Sequence, residues 1–352
     1  MFLRPIGRST WRIRRGVISF VPRYSSTHHN PPFPTIQTCP SPTCTCSEMP
    51  AMPEGLEIDH SKPLNGTMAA YAEQVLICTG KENWMSRIEE ENSGDNLAAD
   101  IKELLGRGGM YSDPYHNVSV VNSSFLSSIP ARSEIQTTSA YIFPSFKYIP
   151  YLPRVSFDSV QALVKGYLLP KKLHPAHNNL SPIHKDRLTR SEDQGRFLPA
   201  VQDVKDILVL ICSHGGRDMR CGILGPVLRD EFEKQMPKDG IQVIKGPVDV
   251  GDGQRRDTIE NSTSSDTSGT ARVGLISHIG GHKFAGNVIL YIPPGTKAAD
   301  GKENALAGCG IWYGRVEPKN VEGIVKETIL GGRVIEDLFR GGIRQGGEIL
   351  RL

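Results

Sequence analysis

The stretch DILVLIC, residues 206–212, most narrows what this chain can fold into. So short and uninterrupted an apolar run, leading into glycines and then a helical pattern, reads as a strand buried on both faces and covered by its own crossover helix. The spacing of Leu224, Val227, Leu228 and Phe232 predicts that helix over Gly222 to Met236, with those four side chains inward. IQVIKGPV (241–248) reads as a second strand, and the low-complexity stretch near 251–272 as a flexible surface insertion. NVILYI (287–292) and GIWYGRV (310–316) then read as a hairpin pair, and Val321 to Leu330 as a closing helix.

Strand, helix, strand, two strands and a helix is the order of a thioredoxin-like α/β sheet, although other α/β sandwiches share it. At 352 residues the chain is long enough for a second domain. Gln74 to Cys78, Asn117 to Val121 and Ala140 to Phe143 read as its strands. A polar helix-like stretch spans Ile88 to Leu105, and a helix bearing Val160, Leu163, Val164 and Leu168 on one face ends at Pro170. The expected division is a Pro/Ser/Thr-rich tail at 25–53, a smaller α/β domain at 54–170, a linker at 171–198 and the thioredoxin-like domain at 199–352. The smaller domain is itself a candidate for a diverged thioredoxin-like unit.

Charge is unevenly spread. Residues 1–24 hold six arginines and no acid, and the first acidic residue is Glu48. Setting those arginines aside turns the chain's net +3 into −3. An arginine-rich, acid-free start interleaved with Phe2, Leu3, Ile6, Trp11 and Ile13 predicts a mitochondrial transit peptide, with cleavage expected after Tyr24. A basic nucleic-acid arm is the competing reading. It is disfavoured because such arms also use lysine and because the remaining body is acidic, whereas phosphate binding needs a basic surface. No run approaches the about 18 apolar residues of a spanning helix, so no membrane insertion is expected.

Two segments carry chemistry. In ICSHGGRDMRCG, Cys212 ends a predicted strand and Cys221 opens the next helix. Thiolates there are favoured by the helix dipole and by Arg217 and Arg220. In HIGGHKFAGN, His278 and His282 are spaced to face one point, and Gly280 and Gly281 leave room for a cofactor against the backbone. Either half alone is as easily core packing or a solvated loop. Both together, at the same end of one sheet, predict a metal site of Cys212, Cys221, His278 and His282. The eight residues between the cysteines are too open for a zinc knuckle, whereas a 2Fe-2S cluster spreads its ligands over two irons.

ICSHGGRDMRCGILGPVLRDEFE, HIGGHKFAGNVILYIP and GIWYGRV resemble the sucrase/ferredoxin-like family, within the thioredoxin-like 2Fe-2S ferredoxins. The resemblance implies a non-Rieske cluster, with Cys212 and Cys221 on one iron and His278 and His282 on the other, more exposed one. It also implies a potential raised by the two neutral imidazoles and dependent on pH.

Other residues give weaker signals. His214 reads as a loop residue or a second donor near the metal, Cys309 as a core thiol, and Arg217 with Asp218 as a pair bracing the loop. Thr79-Gly80-Lys81 lacks the upstream glycine of a P-loop, since residue 75 is Val. Gly331-Gly332 and Gly341-Gly342 read as helix ends. Cys39, Cys44 and Cys46 fit a redox-active thiol set, a weak metal site or ordinary tail residues alike. Three functions therefore compete: a mitochondrial electron carrier or redox-quality-control protein acting with protein thiol partners, a structural zinc interaction module, and a thiol oxidoreductase using the N-terminal cysteines. No acid/base pair is legible, so no catalysed reaction is named. The matrix is the expected compartment, with the intermembrane space as the alternative.

Overall fold

A computed structural model describes residues 31–43, 45–92, 96–130, 135–155, 157–250 and 269–352. The predicted transit peptide, Cys44 and residues 251–268 of the predicted insertion lie outside the described residues.

Strand β1, Glu73–Cys78, is buried along its whole length. Helix α1, Leu97–Leu105, is capped by the Asn96 side chain, which accepts from the Ala99 N–H, and buries Leu97, Ala98, Ile101 and Leu104. It leads to β2, Val118–Ser123, parallel to β1. β3, Thr137–Phe143, and β4, Lys147–Pro153, come next and run antiparallel, β3 on β1 and β4 on β3. Helix α2, Phe157–Leu163, then widens into a π-helical stretch, Val164–Leu168.

The second half repeats this winding. β5, Ile207–Cys212, is succeeded by α3, Met219–Gln235, and by β6, Thr270–Ile276, parallel to β5. β7, Val288–Ile292, pairs antiparallel with β5, and β8, Cys309–Tyr313, with β7. A turn of helix, Val321–Gly323, widens into the π-helical Ile324–Leu330. Both halves are thus thioredoxin-like, with the first strand flanked by its parallel partner and its antiparallel one. They meet edge to edge where Ser123 of β2 pairs with Ile276 of β6, which completes a 12-stranded sheet.

Four readings need correction. The strand beside β5 is β6, not 241–248, of which only Gln242–Val243 is a strand. The predicted insertion also ends too late, because Ala271 and Arg272 already belong to β6. The low-complexity run immediately before β6 hides its start, and Arg272 and Gly274 interrupt its apolar character. After the predicted closing helix come the short strand Val334–Ile335 and two further strands of the large sheet, β9, Phe339–Arg344, and β10, Ile349–Leu350. Gly341-Gly342 therefore lie within a strand rather than at a helix end. The polar helix expected from Ile88 is a single 3-10 turn, Ile88–Glu90, ahead of α1.

The described residues of 31–43 and 45–68 are strapped to the second half. Phe33 packs edge-on against Phe339, and Thr35–Ile36 pairs with Val334–Ile335. The Ser47 hydroxyl donates to buried Glu231 at 2.7 Å. One core, with Val209, Ile211, Leu224, Leu228 and Phe232, lies between β5 and α3. Another joins the halves, with Leu208, Leu210, Tyr291 and Trp312 against Leu76, Tyr141 and Phe143. At about 1.5–3 kcal/mol for each large apolar side chain removed from water, this second core is enough to fix the halves together.

Candidate metal centre

Cys212 is the last residue of β5, and its N–H donates to the Asn287 carbonyl at 3.0 Å. The chain then turns through Ser213 to Asp218 and enters α3 at Met219, three residues earlier than the periodicity predicts. Asp218 caps α3 by accepting from the Arg220 N–H, and it also holds the Arg220 guanidinium through two bonds of 2.9 Å. Cys221 is thereby fixed in the first helical turn. Loop and helix approach so closely that a Cβ on Gly222 would lie 2.6 Å from the Gly215 Cα, so only glycine fits there.

The imidazole segment comes after β6. His278 lies two residues beyond Ile276, and Gly280 and Gly281 both adopt left-handed backbone, with φ of 84° and 74°. That double turn brings His282, at the start of the turn His282–Phe284, back toward His278, with ring centroids 5.4 Å apart. β5 and β6 are adjacent and parallel, with Cys212 opposite Ile276, so the cysteine and histidine segments leave the sheet at the same end.

The four side chains are neighbours. The Cys221 thiol, the His278 imidazole and the His214 backbone N–H together hold the Cys212 thiol well below its ordinary pKa despite burial. Its partner is pushed the other way, because the adjacent Cys212 thiolate and burial both favour the neutral Cys221 thiol. The two thiols are 2% and 1% exposed, while both imidazoles are only half-buried. Burial lowers the pKa of His282, and nearby Asp218 partly opposes this.

Among the described residues, no group of three or more His, Cys, Asp or Glu side chains forms a ready-made metal site. The donor set nevertheless fits a metal cofactor in its chemistry, with two thiols beside two imidazoles. One atom also lacks a partner among the described residues: Nδ1 of His282 is buried and accepts no hydrogen bond from them. A buried nitrogen lone pair left without a partner is costly unless something occupies it.

His214 has a structural role. Its Nε2 lies 3.0 and 2.8 Å from the carbonyls of Trp84 and Met85, and its Nδ1 accepts from the His278 N–H at 3.0 Å. With both ring nitrogens engaged by backbone, it ties the loop after β1 to both the cysteine and the histidine segments. Arg217 does not pair with Asp218. It reaches Ser86 instead, because Asp218 is taken by Arg220. Cys309 is a fully buried core thiol, as its sequence setting suggests. Cys39 is half-buried and donates to the Asn320 carbonyl; burial raises its pKa, which makes it a poor nucleophile.

Two residues of this region give no usable signal in the sequence. Asn287 accepts from Cys212 through its carbonyl, while its side chain donates to Gly281 and accepts from Arg340. Arg340 reaches the site from β9, a strand that the glycines of FRGGIR conceal.

The sucrase/ferredoxin-like family profile matches residues 64–341. The chain is similar to proteins named altered inheritance of mitochondria protein 32. The one from Meyerozyma guilliermondii is 32% identical over 87% of this chain and 94% of its own length. Those from Debaryomyces hansenii and Clavispora lusitaniae are 28% and 29% identical, each over 88% of this chain, covering 96% and 97% of their own lengths. No solved structure matches. A match of this extent, on a fold with the thioredoxin-like winding that the sequence order predicts, places the chain in the sucrase/ferredoxin-like family.

Proposed function

We propose that Cys212, Cys221, His278 and His282 hold a 2Fe-2S cluster and that the chain is a mitochondrial electron carrier serving the redox state of protein thiols. The observation that carries this reading is the arrangement of donors in two pairs, with the buried Nδ1 of His282 left without a partner beside them. Such a cluster, when bound, takes up and releases one electron at a time.

The chain's own residues do the rest. Burial of the two thiols keeps water from the cysteine side, and the half-buried imidazoles leave the histidine side as the edge nearest a redox partner. The Asp218–Arg220 clamp and His214 hold both segments in place before any metal arrives. On each imidazole, the nitrogen turned away from the metal can keep or release a proton, which links electron uptake to pH. The arginine-rich, acid-free residues 1–24 and the name of the relatives support a mitochondrial location, for which the matrix is proposed.

The full chain, purified anaerobically, should contain iron and acid-labile sulfide in equal amounts and should bleach on reduction. A colourless protein holding stoichiometric zinc and no sulfide would sink the proposal and favour the structural zinc module.

A further inference from the structure

We propose that Arg340 is the built-in counter-charge of the Cys212/Cys221 group and a positioning residue that raises the reduction potential of the cluster proposed above. The inference rests on that cluster reading. Arg340 is 1% exposed, and a charge so deep is ordinarily paired with a carboxylate. The other buried arginines obey this rule, Arg220 with Asp218 and Arg272 with Asp206. Arg340 does not. Among the described residues its guanidinium donates only to neutral acceptors: the Gly280 carbonyl at 3.2 Å, Asn287 Oδ1 at 2.6 Å, and the hydroxyl and carbonyl of Thr67 at 3.1 and 2.9 Å.

Of the nearby groups that can carry negative charge, Cys212 and Cys221 are the two whose attraction opposes the burial that lowers the pKa of this guanidinium to about 10. Its placement is equally specific. Asn287, which it grips, accepts the Cys212 N–H through its carbonyl. Gly281 leaves the space it fills, because a Cβ there would lie 2.5 Å from Nη2. The guanidinium thus sits under the turn between the imidazoles and is tied to the strand end that carries a thiolate.

The consequence is electrostatic. A cluster held by two thiolates and two neutral imidazoles is formally neutral when oxidised and carries one negative charge when reduced. A fixed positive charge in a poorly screened interior therefore favours the reduced form.

Arg340→Gln removes the charge but keeps a hydrogen-bond donor, and Arg340→Lys keeps the charge but loses the fork. The full chain and both variants, purified anaerobically, would be compared by iron and sulfide content and by potentiometric titration at fixed pH. Arg340→Gln should lower the equilibrium constant for one-electron uptake at least tenfold, a fall of about 59 mV. Arg340→Lys should stay close to the parent. Retention of the cluster by the Lys variant but not by the Gln variant would support the same conclusion. Equal shifts in both variants, no shift in either, loss of the cluster from both, or loss from the Lys variant alone would overturn it, since each puts hydrogen-bond geometry or nothing in the place of charge. Absence of iron and sulfide from the parent protein would instead overturn the cluster reading itself.

Discussion

The two halves wind alike and each ends its first strand in a cysteine, Cys78 in EQVLIC and Cys212 in ILVLIC, yet the two thiols are chemically opposite. Burial pushes the Cys78 thiol up to about 12, with only the Ser123 side chain and the charge of Arg272 to oppose it. Cys212 is as buried, but Cys221, His278 and the His214 backbone N–H hold its thiol well below the ordinary value. The difference lies in the loop after each strand. Beyond Cys212 a short glycine turn brings the helix start and Cys221 back within reach, whereas beyond Cys78 the next α-helix begins only at Leu97. The long loop of the first half serves the second instead, offering the carbonyls of Trp84 and Met85 to His214. The shared winding supplies a strand-end position, and the loops decide whether the thiol there stands alone or beside a second thiol and an imidazole.

The largest expected effect comes from exchanging the two cysteines for inert residues. Cys212→Ser should abolish iron and sulfide binding, while Cys78→Ala should leave both unchanged and cost only about 1 kcal/mol for a small buried cavity. Iron and sulfide assays on the two variants, with thermal unfolding, measure this. Loss of the cluster from the Cys78 variant would mean that the halves are not divided into one with chemistry and one without.

The imidazole pair sharpens the comparison, because the described residues of the first half show no counterpart to it at the end of β2. His278→Cys or His282→Cys should keep a cluster but lower its potential by roughly 100 mV or more, given how far imidazole-ligated and all-thiolate clusters differ. It should also flatten the dependence on pH, since the potential falls as pH rises only while a bound ring can lose its proton. An unchanged potential would remove that histidine from the site.

Much of this site was legible because its donors lie in two compact segments, each beside a strand that reads plainly as buried. Cys212, Cys221, His278 and His282 needed only the order of elements to be placed at one end of a sheet. The hidden parts depend on pairings distant in sequence. β6 is masked by the low-complexity run before it, and β9 by glycines that pack under Met68 and Trp312. Arg340 and Asn287 come to the site only through those strands. The role of His214 depends on carbonyls about 130 residues away, a separation at which a single sequence carries no signal. The repetition of the winding left one local trace, the VLIC that ends both β1 and β5, which fits the reading of the smaller domain as a candidate thioredoxin-like unit.

A smaller effect tests the bridge between the halves. His214→Leu would leave the Trp84 and Met85 carbonyls and the His278 N–H without their partner, a loss of about 1–3 kcal/mol seen as a lower unfolding temperature. Iron and sulfide content should persist, since neither ring nitrogen of His214 is free to act as a ligand. If the cluster disappears while the fold survives, His214 does more than brace.

The smallest effect concerns the opposite ends of the same two strands. Asp206, just before β5, has both oxygens satisfied, one by Thr270 and one by Arg272. Glu73, at the start of β1, has Arg190 on one oxygen, and its other oxygen is buried without a partner. Burial therefore outweighs the ion pair and pushes the Glu73 carboxyl up from 4.5 to about 7. Because the folded pKa lies above the unfolded one, the folded state holds a proton that the unfolded chain has already lost. The stability linked to Glu73 is thus fully present below about pH 4.5 and is lost as pH rises through about 7, by at most about 3 kcal/mol. Glu73→Gln mimics the protonated form, so the stability gap between variant and parent should widen in the variant's favour from pH 5 to pH 8. Denaturant unfolding of both chains at the two pH values, with the same metal content, measures that gap. A gap that stays constant would mean that Arg190 keeps Glu73 ionised throughout, so that the ion pair outweighs the burial of the carboxyl.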